Sequence, residues 1–196
     1  MAAQRSVYAP VSEKQRLALQ DNTTDIIFLG GASGGGKSRT VLMKNLDAIH
    51  DPYFNCAIFR RSAPQLKRPG GLIEASQEMY TEFGGEYKVQ PLTWVFPSGA
   101  KISFNYISGD ADLSGFQGAE LARILVDEAC EDWTEHQILF LQTRLRRPKC
   151  KAYPQVILTG NPDINSFLKD WVEFSLDENG IPVAGTENRV RWFTVI

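Results

Sequence analysis

The octapeptide Gly31-Ala32-Ser33-Gly34-Gly35-Gly36-Lys37-Ser38 leaves this chain few folds to choose from. It fits GxxxxGKS, and its surroundings fit what that pattern needs. The apolar run Ile26 to Leu29 precedes it as a buried strand. Val41, Leu42, Leu46 and Ile49 follow at helical spacing from Ser38 onward, with His50-Asp51-Pro52 as the stop. A strand that feeds a glycine-rich loop and then a helix turns successive backbone N–H groups around an anion, backed by the positive end of the helix. On this reading Gly31, Ala32, Ser33, Gly34, Gly35 and Gly36 cradle phosphates, with Arg39 beside them. Lys37 meets the β- and γ-phosphates, and Ser38 coordinates Mg²⁺. ATP and Mg²⁺ are the cofactors expected. A flexible glycine turn is the plainer alternative, but such a turn has no need of the Lys-Ser pair or of the flanking strand and helix.

The rest of the chain continues the alternation. Ser12 caps a short helix over Glu13 to Leu19, and a second strand runs from Cys56 to Phe59. A helix over Leu72 to Phe83 leads through Gly84-Gly85 to Thr93–Phe96 and Lys101–Tyr106, joined across Pro97-Ser98-Gly99 as a hairpin. Arg123 to Val126 and Gln155 to Leu158 read as buried strands on either side of a helix from Glu135 to Leu145. The predicted architecture is α/β: a mostly parallel central sheet flanked by helices, with an inserted β-hairpin. Arg189 to Ile196 alternates like another strand and stops without a polar tail, as expected of a piece of a longer chain.

Two further segments carry chemistry. Arg123-Ile-Leu-Val-Asp127-Glu128-Ala129 sets two carboxylates directly after an apolar strand, where parallel sheets present ligand-binding groups. Asp127 suits Mg²⁺, usually through water, and Glu128 suits the proton of the water that attacks the γ-phosphate. Carboxylates also cap helices, so a role at the start of a following helix is the alternative. Ile157-Leu158-Thr159-Gly160-Asn161-Pro162 is a buried strand ending in polar residues. Thr159 and Asn161 are candidates for sensing the γ-phosphate, and an ordinary turn at Asn161-Pro162 is equally open.

Composition narrows the class. With 196 residues and 43% hydrophobic content the chain suits one domain, residues 1–196, with a real core. A net charge of −2 gives no global field for nucleic acid, so any DNA contact falls to local clusters such as Arg60, Arg61, Lys67 and Arg68, which serve equally to stabilise a loop. Cys56, Cys130 and Cys150 lack the spacing of a zinc site or disulfide framework, which points to a reducing, intracellular setting. The N-terminus has no apolar stretch of signal-peptide length and no apolar run approaches a membrane span, so neither secretion nor a membrane is expected. His50 and His136 have no nucleophile or ligand-like residue beside them.

The order of these pieces resembles the ATPase domain of the large terminase subunit of tailed bacteriophages. The likeness rests on the phosphate loop together with Glu13-Lys14-Gln15, Phe59-Arg60-Arg61, Leu113-Ser114-Gly115-Phe116-Gln117-Gly118-Ala119-Glu120, Val126-Asp127-Glu128-Ala129, Arg144-Leu145-Arg146-Arg147-Pro148 and Leu158-Thr159-Gly160-Asn161-Pro162. It implies a P-loop NTPase of the additional-strand, catalytic-glutamate type. It also implies that Gln15 reads the adenine edge and that Thr159, Gly160 and Asn161 couple γ-phosphate loss to movement. Many relatives carry an Arg inside the phosphate loop, where Ala32 and Ser33 stand here. The cation for the transition state then falls to an arginine supplied by a neighbouring subunit, with Arg144, Arg146 and Arg147 the candidates. A solvated helix C-terminus explains the same cluster equally well.

The resemblance further implies translocation of double-stranded DNA into a procapsid in the host cytoplasm. The partners it implies are the portal protein, the small terminase subunit and further copies of the chain in a ring, with a monomer expected in isolation. Full-length relatives continue into a ribonuclease-H-like nuclease. The carboxylates after Pro162 are too scattered for one, so no nuclease activity is expected of these residues. A helicase-type ATPase, a small-molecule kinase and a non-catalytic, nucleotide-dependent assembly module share the phosphate loop and remain alternatives.

Overall fold

The computed structural model describes residues 8–31, 36–146, 149–161, 166–174 and 190–194. The expectations placed on Ala32, Ser33, Gly34, Gly35, Arg147, Pro148 and Pro162 lie outside them. The elements in order are α1 (Glu13–Gln20), β1 (Ile26–Gly30), α2 (Lys37–Lys44), β2 (Asn55–Arg60), α3 (Ala63–Lys67), α4 (Leu72–Glu82), β3 (Glu86–Val89), β4 (Leu92–Val95), β5 (Lys101–Tyr106), β6 (Arg123–Val126), α5 (Glu135–Gln142), β7 (Gln155–Gly160), α6 (Phe167–Phe174) and β8 (Val190–Thr194).

One eight-stranded sheet carries them in the order β3-β4-β5-β2-β6-β7-β1-β8. From β5 to β8 every neighbouring pair is parallel, and β4 and β3 continue the sheet antiparallel at one edge. Both faces of the parallel strands are covered, so alternate side chains enter two separate cores. Ile27, Leu29, Ile58, Leu125 and Ile157 pack with α2 and α4 through Leu42, Met79 and Tyr80. Ile26, Phe28, Phe59, Val126 and Leu158 pack on the other face with Ile138 and Leu141 of α5 and Leu168 of α6. Among the described residues no helix is long and apolar enough to cross a membrane.

The predicted hairpin is present as β4 and β5, antiparallel to each other; β5 also pairs in parallel with β2, and β3 extends the sheet beyond β4. Two expectations need correction. The helix after the phosphate loop ends at Lys44 and passes into a 3₁₀ turn over Asn45–Asp47. Arg123 explains that stop. Fully buried, it donates to the Lys44 carbonyl at 2.7 Å and to Asp47 Oδ1 and Oδ2 at 2.9 and 3.1 Å, holding the chain in the tighter turn. The helix predicted from Glu135 to Leu145 is also shorter, α5 covering Glu135–Gln142. Beyond it the chain straightens, and Leu145 forms a parallel bridge with Leu121.

Candidate ATP-hydrolysis site

β7 lies between β1, which leads into the phosphate loop, and β6, which leads into the acidic pair. This interposed strand is the architecture the resemblance implies. The registers Leu29↔Thr159, Gly30↔Gly160 and Val126↔Leu158 bring the carboxyl ends of all three strands to one edge. Functional groups collect there because the strands stop hydrogen-bonding one another and their next residues are free to face a ligand.

Gly36 sets the entry to α2. It caps the helix at φ 75, a left-handed backbone that suits glycine, and a Cβ there would stand 2.9 Å from Gln15 Nε2. Gln15 is therefore packed against the loop rather than on an outer helix face: it is 3% exposed, and its Oε1 accepts from the Val11 N–H at 2.8 Å. Lys37, 7% exposed, donates from Nζ to the Gly31 carbonyl at 2.7 Å and to Asn161 Oδ1 at 3.1 Å. That second bond joins the phosphate loop to the end of β7, a role beyond an ordinary turn for Asn161. Ser38, half-buried, follows on the first turn of α2. Arg39 is exposed, with its guanidinium 5.0 Å from the centre of the Tyr8 ring.

No helix starts directly after Asp127-Glu128. α5 begins at Glu135, and its N-cap is Thr134. Both oxygens of Asp127, 1% exposed, are instead engaged from neighbouring strands. Thr159 Oγ1 donates to Oδ1 at 2.6 Å, and the Arg60 guanidinium meets Oδ2 through Nε and a terminal nitrogen, each at 2.7 Å. Glu128 is half-buried beside them. Its carboxyl pKa is raised above the usual range, chiefly by burial and then by the Asp127 charge, against the opposing pull of Arg60 and Lys37. A carboxylate that holds its proton more readily than a free one is suited to taking a proton from water. A hard divalent cation would find oxygen donors in Ser38 and Asp127, with Asp127 reaching it through water because its oxygens are already engaged.

Arg60 is the residue whose role the sequence hid. Grouped by proximity with Arg61, Lys67 and Arg68 it reads as part of a surface cluster, but it is 4% exposed and pairs with Asp127. The cluster breaks up further. Arg61 donates to Gln137 Oε1 at 3.2 Å and to the Ser108 carbonyl at 2.7 Å and lies over Trp133, leaving Lys67 and Arg68 exposed. The usable signal was its place: Arg60 closes a buried apolar strand, and the pairing Phe59↔Val126 sets it level with Asp127.

Gly160 has a different job from its neighbours. A Cβ there would meet Cys130 Sγ at 2.8 Å and Cys130 Cβ and N at 3.3 Å, so the absence of a side chain lets β7 close against the turn after Glu128. Arg144 and Arg146 lie away from this site. The Leu121 N–H donates to the Arg144 carbonyl, and the Arg146 N–H donates to the Leu121 carbonyl, at the entry of β6 and not at its exit. The Arg144 guanidinium sits over Phe140, and Arg146 pairs with Glu120 at 3.3 Å. His50 and His136 are both exposed.

A family model described as terminase large subunit, T4likevirus-type, N-terminal matches residues 27–194. The chain belongs to this terminase family. Solved terminase structures share its fold. The HK97 bacteriophage large terminase is 14% identical with a TM-score of 0.68, over 95% of this chain and 39% of that one. The large terminase of a thermophilic bacteriophage in complex with ATP-gamma-S is 19% identical with a TM-score of 0.62, over 95% and 45%. The Thermus phage P74-26 large terminase ATPase domain, an Arg-to-Ala mutant, is 15% identical with a TM-score of 0.58, over 95% and 81%. This terminase chain thus spans less than half the length of the first two. A search of curated protein sequences finds no match.

Proposed function

We propose that this chain is the ATP-hydrolysing motor domain of a viral DNA-packaging terminase, which uses Mg²⁺-dependent cleavage of ATP to drive double-stranded DNA into a procapsid. One observation carries the reading: Lys37, Asn161, Thr159, Asp127, Arg60 and Glu128 form one chain of contacts and neighbours across the carboxyl ends of β1, β7, β6 and β2. A glycine loop alone suits many phosphotransferases, but Glu128 beside Asp127 favours water as the acceptor. In this reading Lys37 neutralises charge on the β- and γ-phosphates, Ser38 and Asp127 hold the metal, and Glu128 takes the proton of the attacking water. We assign ATP hydrolysis to these residues and no nuclease chemistry. The working assembly is a homo-oligomeric ring at the portal, with the small terminase subunit as a further partner and the host cytoplasm as its place of action.

Phosphate release from ATP, measured with Mg²⁺ in the presence and absence of double-stranded DNA, tests this. Lys37→Ala is expected to lose nucleotide binding and turnover together. Glu128→Gln should retain binding while turnover falls by at least about 10²-fold. Substantial turnover in either purified variant would remove the assigned chemistry.

A further inference from the structure

Glu128 has a left-handed backbone, φ 54, which residues with a side chain adopt uncommonly. The surroundings that hold it belong to Thr159. The Glu128 N–H donates to Thr159 Oγ1 at 3.1 Å, and the next N–H, that of Ala129, donates to the Thr159 carbonyl at 2.6 Å. Thr159 Oγ1 in turn donates to Asp127 Oδ1 at 2.6 Å. A hydroxyl has one proton to give, and this one goes to Asp127. The hydroxyl of Thr159, a residue 1% exposed, is thus committed to the acidic pair through both bonds. It touches the backbone of one acidic residue and the side chain of the other.

We propose that Thr159 is a positioning residue for hydrolysis: by bridging Asp127 Oδ1 and the Glu128 N–H, its hydroxyl holds the strained turn that aims the Glu128 carboxylate at the attacking water. The role rests on the assignment of Glu128 as the group that handles that water. It separates the neighbours on β7 into two jobs, because Asn161, two residues on, contacts Lys37 on the opposite side of the site. Gly160 between them supports the same geometry, since a side chain there would push the turn at Cys130 away from β7.

Thr159→Val keeps the shape of the side chain and removes the hydroxyl, whereas Thr159→Ser keeps the hydroxyl and removes a methyl group. In the full chain with Mg²⁺ and ATP, Thr159→Val is expected to lower kcat on the order of 10²-fold, as a small misplacement of a reacting group does. KM and the affinity for a fluorescent ATP analogue should stay within about threefold, and Thr159→Ser should recover most of the lost kcat. If Thr159→Val does not fold by circular dichroism, Thr159→Ala against Thr159→Ser makes the same comparison. Unchanged kcat in the hydroxyl-free variant, a loss confined to nucleotide affinity, or a Ser variant as impaired as the Val variant would each overturn the positioning role. A parent chain that binds ATP but does not hydrolyse it would overturn the hydrolytic reading itself, and the positioning role with it.

Discussion

Arg60 and Asp127 are almost wholly out of water, and each depends on the other for that. A buried pair gives little net stability over an apolar one, but removing one partner strands the other's charge in a medium that solvates it badly. Arg60→Ala is therefore expected to cost roughly 3–5 kcal/mol of folding stability, far more than a surface arginine, and urea unfolding measures it. A loss no larger than that of Arg68→Ala would mean that Asp127 is solvated after all. Glu128 differs because its raised pKa has a visible kinetic consequence. In the proposed role the carboxylate must be unprotonated to accept a proton, so activity is expected to fall on acidification at a pH above that of an ordinary glutamate, about 4.3. The acid limb of the kcat/KM profile, which reports the nucleotide-free protein, reads that value. A limb at or below it would place Glu128 outside the proton-transfer step. In stability the sign is opposite: a group that binds its proton more tightly when folded disfavours the fold as pH rises through the shifted value.

At the scale of elements, the strands that position the site were legible because they are buried on both faces and read as short continuous apolar runs. Ile26 to Leu29, Cys56 to Phe59 and Arg123 to Val126 sit within one residue of the observed strands. β3 escaped because Glu86, Lys88 and Val89 are exposed at the sheet edge, where no core imposes alternation. α2 read too long for the converse reason: Leu46 and Ile49 keep helical spacing, but Arg123, dozens of residues away in sequence, fixes the intervening turn. The same limit hid the bond from Arg60 to Asp127. Local pattern names the residues that open each strand and loop, while partners on different strands appear only once the strand order is known. The acidic pair and the lysine were readable; their connection through Thr159 and Asn161 was not.

At the scale of the whole molecule, the sheet has two ends with different occupants. Arg144 and Arg146 meet Leu121 before β6 begins, and Asp127 follows its end, a separation on the order of 20 Å of extended chain. Neither arginine serves the site of its own chain, so any transition-state role is exerted on a neighbour. Arg144→Ala and Arg146→Ala are accordingly expected to leave nucleotide affinity of the dilute chain unchanged. Only turnover that rises with protein concentration should fall. Weakened binding at high dilution, by titration with a fluorescent nucleotide, would contradict this placement. The strand order also sets a dimension. With β7 interposed, the strand leading to Lys37 and the strand leading to Glu128 stand two strand spacings apart, about 9.6 Å, where adjacent strands would leave half of that. β7 acts as a spacer, setting the element that carries the lysine and the acidic pair a strand's width apart, the separation that the proposed attack of water on a phosphoryl group between them calls for.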